Sequence, residues 1–157
     1  MGPIAIMVAF FLAISAAVRS IFAAGEFSDA GADAALDFLT GRAAPWAAAR
    51  NTFLSLCTTA PTDTALGTEV TTSGYARQDV DWTAPTGDPS STSNSGLVTF
   101  GPFTADPPNI THCALMDAVS GGTASNMLMW WALDVAKDPA INESLQFAIG
   151  ALVMTLD

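Results

Sequence analysis

The feature that most limits the possible folds is a series of short apolar segments that begins at residue 51. Several segments alternate between apolar and polar residues, which is the period of a half-buried strand. They recur at intervals of roughly 8–15 residues with turn residues between them, and this spacing favours an all-β fold over βαβ units. We therefore predict an antiparallel β-sandwich or jelly-roll-like barrel of about seven strands. The predicted strands are residues 52–59, 75–83, 97–100, 110–118, 127–133, 145–149 and 152–156.

Residues 84–96 interrupt this pattern with a run that is rich in Pro, Gly, Ser and Asn. These residues favour turns because they fix φ, allow positive φ or bond to their own backbone. We predict an exposed loop here and not a linker between domains, because a strand pattern resumes at Leu97. Residues 27–157 are therefore predicted to form a single domain, preceded by a separate apolar arm at residues 1–26.

One short helix is predicted before the strands, over residues 28–40. Ser28 or Asp29 can cap it, because a side-chain oxygen there accepts a hydrogen bond from a free backbone N–H. Gly41 follows as a suitable C-terminal stop. Apolar residues at helical spacing predict one buried face, formed by Ala32, Ala35, Leu36 and Leu39.

The N-terminal residues 3–18 contain no charged side chain, and three interpretations of them remain open. A signal peptide starts with basic residues, which are missing here, and a membrane-spanning helix needs about 20 apolar residues. The third interpretation is a helical or extended arm that is buried against neighbouring subunits, or an extended gene start with Met7 as another initiator. We favour the arm, with Phe10, Phe11 and Leu12 as interface candidates, because an exposed apolar segment of this length needs a cover.

The charged residues and the single histidine exclude several classes of function. The net charge is −10 and the five basic residues are scattered, whereas nucleic-acid binding needs clustered Lys and Arg. His112 has no second histidine with which to form a metal site, and no nucleophile-elbow or phosphate-loop motif occurs. We therefore expect no enzymatic activity and no cofactor. Asp79 and Asp81 are interpreted as a solvated strand face.

The two cysteines, Cys57 and Cys113, each lie in an apolar strand-like segment. One pair in a chain of this size is not a disulfide framework. We interpret both as buried thiols that pack as small hydrophobic side chains. A disulfide stays open as an alternative only if the two strands are neighbours.

Tryptophans supply further interface candidates. Trp130 and Trp131 are adjacent, so their side chains point to opposite faces of the predicted strand. One is expected in the core, and the other at an interface or against a sugar. Trp46, in a linker at residues 42–50, is a further candidate.

The segment Gly74–Gln78, with the sequence GYARQ, supplies the last two interface candidates, Tyr75 and Arg77. Gly74 allows a turn into the strand, and Tyr75 combines an apolar ring with a hydroxyl tip. Arg77 can pair with a carboxylate such as Glu69 across a turn. The simplest interpretation is a strand start that is held by one ion pair.

Several segments occur in the order found in a known group of proteins. They are residues 54–63 (LSLCTTAPTD), 69–70 with 74–78 (EV, GYARQ), 93–95 with 98–100 (SNS, VTF), 111–118 (THCALMDA), 128–133 (LMWWAL) and 147–157 (FAIGALVMTLD). Together they resemble small phage proteins that are labelled phage tail fibre or minor tail proteins, over roughly residues 27–157. This resemblance implies a β-sandwich-like virion component with no cofactor and no catalytic residues.

The expected function is that of a non-enzymatic bacteriophage structural protein on the exterior of the capsid or tail. We expect a homo-oligomer, with a trimer favoured, bound to major capsid or tail proteins. Capsid decoration is slightly favoured by the single-domain size, because no collagen-like or coiled-coil shaft is present to project a fibre and no separate receptor-binding tip is present. The alternatives are a host-receptor or carbohydrate-binding module and a membrane-anchored secreted protein.

Overall fold

A computed structural model describes residues 26–40, 51–87 and 90–156 of the chain, and within these ranges the fold is mainly β. The predicted fold class is therefore confirmed. The elements in chain order are β1 (Glu26–Phe27), α1 (Asp29–Leu39), β2 (Thr52–Cys57), β3 (Gln78–Val80), β4 (Ser90–Ser93), β5 (Val98–Phe100), β6 (Ile110–Met116), a short 3-10 helix (Ala124–Asn126), β7 (Met127–Lys137), β8 (Leu145–Phe147) and β9 (Val153–Leu156).

The strands form three antiparallel sheets. The largest has the order β1-β7-β6-β2-β3, and two smaller sheets are made of β4 with β9 and of β5 with β8. None of these sheets closes on itself among the described residues, so the barrel alternative is not what the strands form. Layers of this kind are compatible with a β-sandwich.

The main core lies on one face of the five-stranded sheet. Leu54 pairs with Leu115 and Leu56 pairs with Cys113, and directly paired residues share a face. Phe100 of β5 and Phe147 of β8 belong to the same buried cluster. Their rings meet edge to face, with centroids 6.1 Å apart. The β5–β8 sheet therefore covers this face of the large sheet.

The opposite face of the large sheet is also apolar near its centre. Ala114, Met116 and Met127 are fully buried there, and Leu66 and Trp130 pack against them. Strand β6 is therefore buried on both faces. This explains why residues 113–116 read as a continuous apolar run and not as an alternation.

The helix was predicted correctly, but one residue of its predicted apolar face is exposed. The Ser28 hydroxyl accepts a hydrogen bond from the Gly31 amide at 3.1 Å and donates one to the Met127 carbonyl, so the predicted cap is confirmed and also joins the helix to β7. Gly31 lies against the backbone of β7: a Cβ there would be 2.1 Å from the Leu128 carbonyl oxygen. Leu36, predicted to be buried, is 58% exposed.

The predicted loop at residues 84–96 contains a strand that the sequence pattern does not show. Strand β4 pairs with β9, with Ser91 opposite Thr155 and Ser93 opposite Val153. Asn94, which is fully buried, fixes the end of this pair. Its side-chain amide donates to the Ala148 carbonyl at 2.9 Å and accepts from the Leu152 amide at 2.8 Å. Long-range pairing therefore overrides the weak strand propensity of serine.

The predicted arm lies outside the described residues, as do Phe10, Phe11, Leu12 and Trp46. The helical segments that the structure does describe include none of the length and apolarity needed to span a membrane.

Candidate functional site

The GYARQ segment forms the most highly connected polar cluster near the surface, starting from a turn at Gly74. Gly74 has a φ of +91°, and a Cβ there would be 2.4 Å from the Pro102 carbonyl oxygen. Only glycine fits this conformation and this close approach. The turn carries Tyr75 and Arg77 toward the end of β2.

Arg77 is bound entirely by groups of its own chain. Its Nε and Nη2 atoms donate to the two carboxylate oxygens of Glu69 at 2.8 and 2.7 Å. Nη1 also donates to the Ala118 carbonyl at 2.7 Å, and Nη2 to that of Gly121 at 2.8 Å. The side chain is only 2% exposed. The predicted pairing of Arg77 with Glu69 is therefore confirmed, in a bidentate form that a lysine could not reproduce.

Tyr75 extends this cluster into the core. Its hydroxyl donates to Glu69 at 2.7 Å and accepts from the Leu56 amide at 3.1 Å. Its ring lies parallel to that of Phe100, with centroids 5.9 Å apart. We call Glu69, Tyr75 and Arg77 the Arg77 network. It ties the loop before β3, the end of β2 and the loop after β6 to one another.

The electrostatics of the Arg77 network follow from burial and pairing. Burial alone would raise the pKa of Glu69, but hydrogen bonds from Arg77 and Tyr75 outweigh it, and the pKa lies below its ordinary value. The hydrogen bond to Glu69 raises the pKa of Arg77. Burial raises the pKa of Tyr75. Glu69 is therefore an anion and Tyr75 a neutral donor, which leaves neither poised for proton transfer near neutral pH.

The two cysteines lie on neighbouring strands but do not face each other. Leu56 pairs with Cys113, whereas Cys57 pairs with His112. Since successive side chains alternate between faces, the two thiols point to opposite sides of the sheet. Both are free and buried, as predicted. Burial raises the pKa of Cys57 to about 11 and also raises that of Cys113, so neither is a reactive thiolate.

The adjacent tryptophans have the opposite orientations that were predicted. Trp131 is 4% exposed and belongs to the main core. Trp130 is half-buried on the other face, with its ring centroid 6.1 Å from that of His112. The Nε1 atom of Trp130 is buried and finds no acceptor in the part of the chain that the structure describes. His112 contacts Thr111 through Nδ1 at 2.8 Å, and burial lowers its pKa.

Within the described ranges, no group of three or more His, Cys, Asp or Glu residues is placed so that it could hold a metal ion. Asp79 and Asp81 are both exposed, as expected for a solvated strand face.

A groove of about 450 Å³ lies between the layers of the fold. Its walls come from α1, the start of β7 and the β4–β9 sheet. The described residues that line it have apolar, hydroxyl-bearing or small side chains, and none of them is charged. They include Ala34, Ala35, Trp82, Leu115, Met129 and Met154. We call this surface the interlayer groove.

Sequence analysis does not predict the interlayer groove, because its walls come from elements far apart in the chain. One local signal was present. Ala34 and Ala35 lie three and four positions after Gly31, so a helix places them on the same side as Gly31. Such small residues leave room beside α1 where larger side chains would fill it.

Comparison with known proteins gives the class of this molecule. A family model matches residues 26–155, from β1 into β9. The matched family is one of phage fibre proteins, and the chain is therefore a phage fibre protein. It belongs to the family described as podophage GP4 fiber I protein gp80, because the match covers far more than half of its 157 residues. No curated protein matches the sequence.

This membership confirms the resemblance to phage tail fibre proteins as a class. It supports a structural role in the virion. The structure places the interface candidates of the body in different surroundings: Arg77 and Trp131 are buried, while Tyr75 and Trp130 are half-buried. Their roles at an interface stay predictions.

Proposed function

We propose that the chain is a structural component of the phage tail exterior that works by assembling with copies of itself and with other tail proteins. The observation that carries this proposal is the fibre-family match over residues 26–155. The slight preference for capsid decoration rested on size and on the lack of a shaft. A fibre family favours the tail instead.

Assembly is supported by the character of the surface. Only 13% of the residues are charged, and several large apolar side chains are exposed, including Leu36 at 58%, Val135 at 65% and Ile149 at 68%. The interlayer groove adds further apolar surface. Surfaces of this kind are typically covered by partners. A symmetric homo-oligomer, with three copies favoured, would cover the same surface on every subunit.

The Arg77 network has a structural part in this function. It joins three segments that are distant in sequence, and all its charged groups are matched within the chain. A subunit that must present an interface in fixed geometry needs loops that do not move relative to the sheets. In this proposal, the network supplies that rigidity and does not itself recognise a ligand.

Of the two tryptophans that were candidates for stacking on a sugar, one is excluded by its burial. Trp131 is in the core, where no sugar can stack on its ring. The residues proposed for the interface are therefore the arm residues Phe10, Phe11 and Leu12, with Trp46 and the half-buried Trp130.

The location is tested by separating tails from heads in purified particles and quantifying the chain in each fraction by mass spectrometry. We expect it in the tail fraction. Recovery with the heads alone would overturn the tail assignment in favour of capsid decoration.

The assembly is tested by size-exclusion chromatography with light scattering on the full chain. We expect the mass of a trimer. A monomer at all concentrations, with a native circular dichroism spectrum, would contradict assembly through self-association.

A further inference from the structure

The interlayer groove has the properties of a docking site for an apolar chain segment. Its volume of about 450 Å³ lies within the range of sites that hold a ligand or a few large side chains. Of the lining residues that the structure describes, none is charged. At its rim, the Trp82 Nε1 atom already donates to the Thr52 hydroxyl at 2.9 Å. What the groove offers to a partner is therefore mainly apolar contact.

The chain itself contains a segment of matching chemistry. Residues 3–18 have no charged side chain, and their bulkiest consecutive residues are Phe10, Phe11 and Leu12. A groove of this volume takes a few large side chains and not a whole segment. A charged or strongly polar peptide would lose hydration in the groove without gaining a partner there.

The direction of β1 indicates which copy supplies the segment. Glu26 lies opposite Trp130 and Phe27 lies opposite Met129, so the chain runs antiparallel to β7. Strand β1 therefore enters the sheet from the Lys137 end of β7. The groove lies at the other end, where Leu128 and Met129 line it. At Glu26, its first described residue, the chain thus points away from the groove of its own molecule, which favours a neighbouring copy as the partner.

We propose that residues 3–18 of one copy dock into the interlayer groove of a neighbouring copy, with Phe10, Phe11 and Leu12 as the anchoring side chains. This inference rests on the self-assembly part of the proposed function and names its contact. An arm-to-groove contact is heterologous, because the two surfaces are different parts of the chain. Such contacts form a closed oligomer when two copies exchange arms or when successive copies complete a ring, as the three copies favoured here would.

Disulfide trapping between two differently labelled copies tests the docking directly. One copy carries Ala35→Cys in the groove, and the other carries Phe10→Cys, Phe11→Cys or Leu12→Cys in turn. The native Cys57 and Cys113 are buried and unreactive, so they add no background. We expect mild oxidation of the mixture to give a cross-linked dimer for at least one arm position. Leu36→Cys, at the adjacent exposed position of α1, is the matched control and should give at least fivefold less dimer.

Three outcomes would overturn the docking. The first is a cross-link that forms only within a chain carrying both cysteines, which assigns the groove to the arm of its own molecule. The second is no arm-to-groove cross-link in either format, which leaves the groove to another partner. The third is a mass spectrum of the protein from particles that lacks residues 1–25, because the segment is then removed before assembly.

Blocking the groove separates this inference from the proposed function. Ala35→Trp fills the groove, whereas Leu36→Trp adds the same bulk at the exposed neighbouring position. We expect Ala35→Trp and Phe11→Asp to weaken self-association at least tenfold, and Leu36→Trp to leave it unchanged. Normal assembly of both Ala35→Trp and Phe11→Asp would refute the docking, while recovery of the chain with tails would still support the proposed function. Thermal melting checks that each variant is folded.

Discussion

The Arg77 network and the interlayer groove differ in whether their side chains already have partners within the same chain. In the network, the charged groups of Glu69 and Arg77 are matched by the same chain, and the Arg77 side chain is 2% exposed. In the groove, apolar side chains from α1, β7 and β9 converge and stay accessible from outside. A polar cluster whose hydrogen bonds are made within the chain stabilises the fold. An exposed apolar surface can instead stabilise a complex, because covering it with a partner removes apolar area from water.

The network and the groove also differ in how visible they are in the sequence. The network includes Tyr75 and Arg77 of the GYARQ segment, and both side chains make their contacts within the fold. The groove comes from unremarkable alanines, serines and threonines together with a few apolar residues. A conspicuous motif in a structural protein can therefore report on folding, while the surface that meets a partner has no local signature.

The largest expected effect is at the closed region. Arg77→Ala leaves the Glu69 carboxylate with only the Tyr75 hydroxyl as a donor and removes the donor of two backbone carbonyls, and we expect it to lower the free energy of unfolding by about 3 kcal/mol. Arg77→Lys should lose less, because it keeps the charge but not the bidentate contact. Urea unfolding followed by tryptophan fluorescence measures both. A loss below about 1 kcal/mol for Arg77→Ala would show that the network does not hold the fold.

A smaller effect is expected at the wall of the groove. Gly31→Ala places a Cβ against the Leu128 carbonyl, so α1 must move away from β7. We expect a loss of about 1–3 kcal/mol in unfolding free energy, together with weaker self-association. Gly96→Ala is the control, because its Cβ would meet nothing within 4 Å. If Gly31→Ala left both stability and assembly unchanged, α1 would not be a fixed wall of the groove.

The pH dependence of stability tests the network in a second way. The folded-state pKa of Glu69 is lowered from 4.5, so its ionised form contributes stability that is fully present above the unfolded pKa. This contribution is lost as the pH falls through the folded pKa. We expect the difference in urea midpoint between wild type and Glu69→Gln to be constant from pH 7 to pH 5 and to shrink below about pH 4.5. A difference independent of pH would mean that the charge of Glu69 contributes nothing.

The smallest effect is expected at Trp130, whose buried Nε1 atom lacks an acceptor within the described ranges. Trp130→Phe removes this unpaired N–H, which raises stability, and also removes part of the ring, which lowers stability. We expect stability to stay within about 1 kcal/mol of wild type. Trp131→Phe removes ring volume from the core and should cost roughly 1–3 kcal/mol. Equal losses at the two positions would mean that Trp130 is as well packed and bonded as Trp131.

Much of the fold follows from the sequence because it depends on neighbours along the chain. All seven predicted strands have counterparts, from β2 to β9, because alternation and turn residues act locally. The Ser28 cap follows for the same reason. The Glu69–Arg77 pair was also predictable, since its members are close in sequence and carry opposite charges.

Features that depend on which strands pair and which layers pack together were decided only by the tertiary structure. Strand β4 exists because β9 supplies its hydrogen-bonding partners, although its own residues are typical of a loop. The strand register placed Cys57 and Cys113 on opposite faces of the sheet, and the packing of the layers put Trp131 rather than Trp130 in the core. The interlayer groove joins residues from 31 to 155. Alternation along a strand says which side chains share a face, but which element covers that face is set by contacts between distant segments.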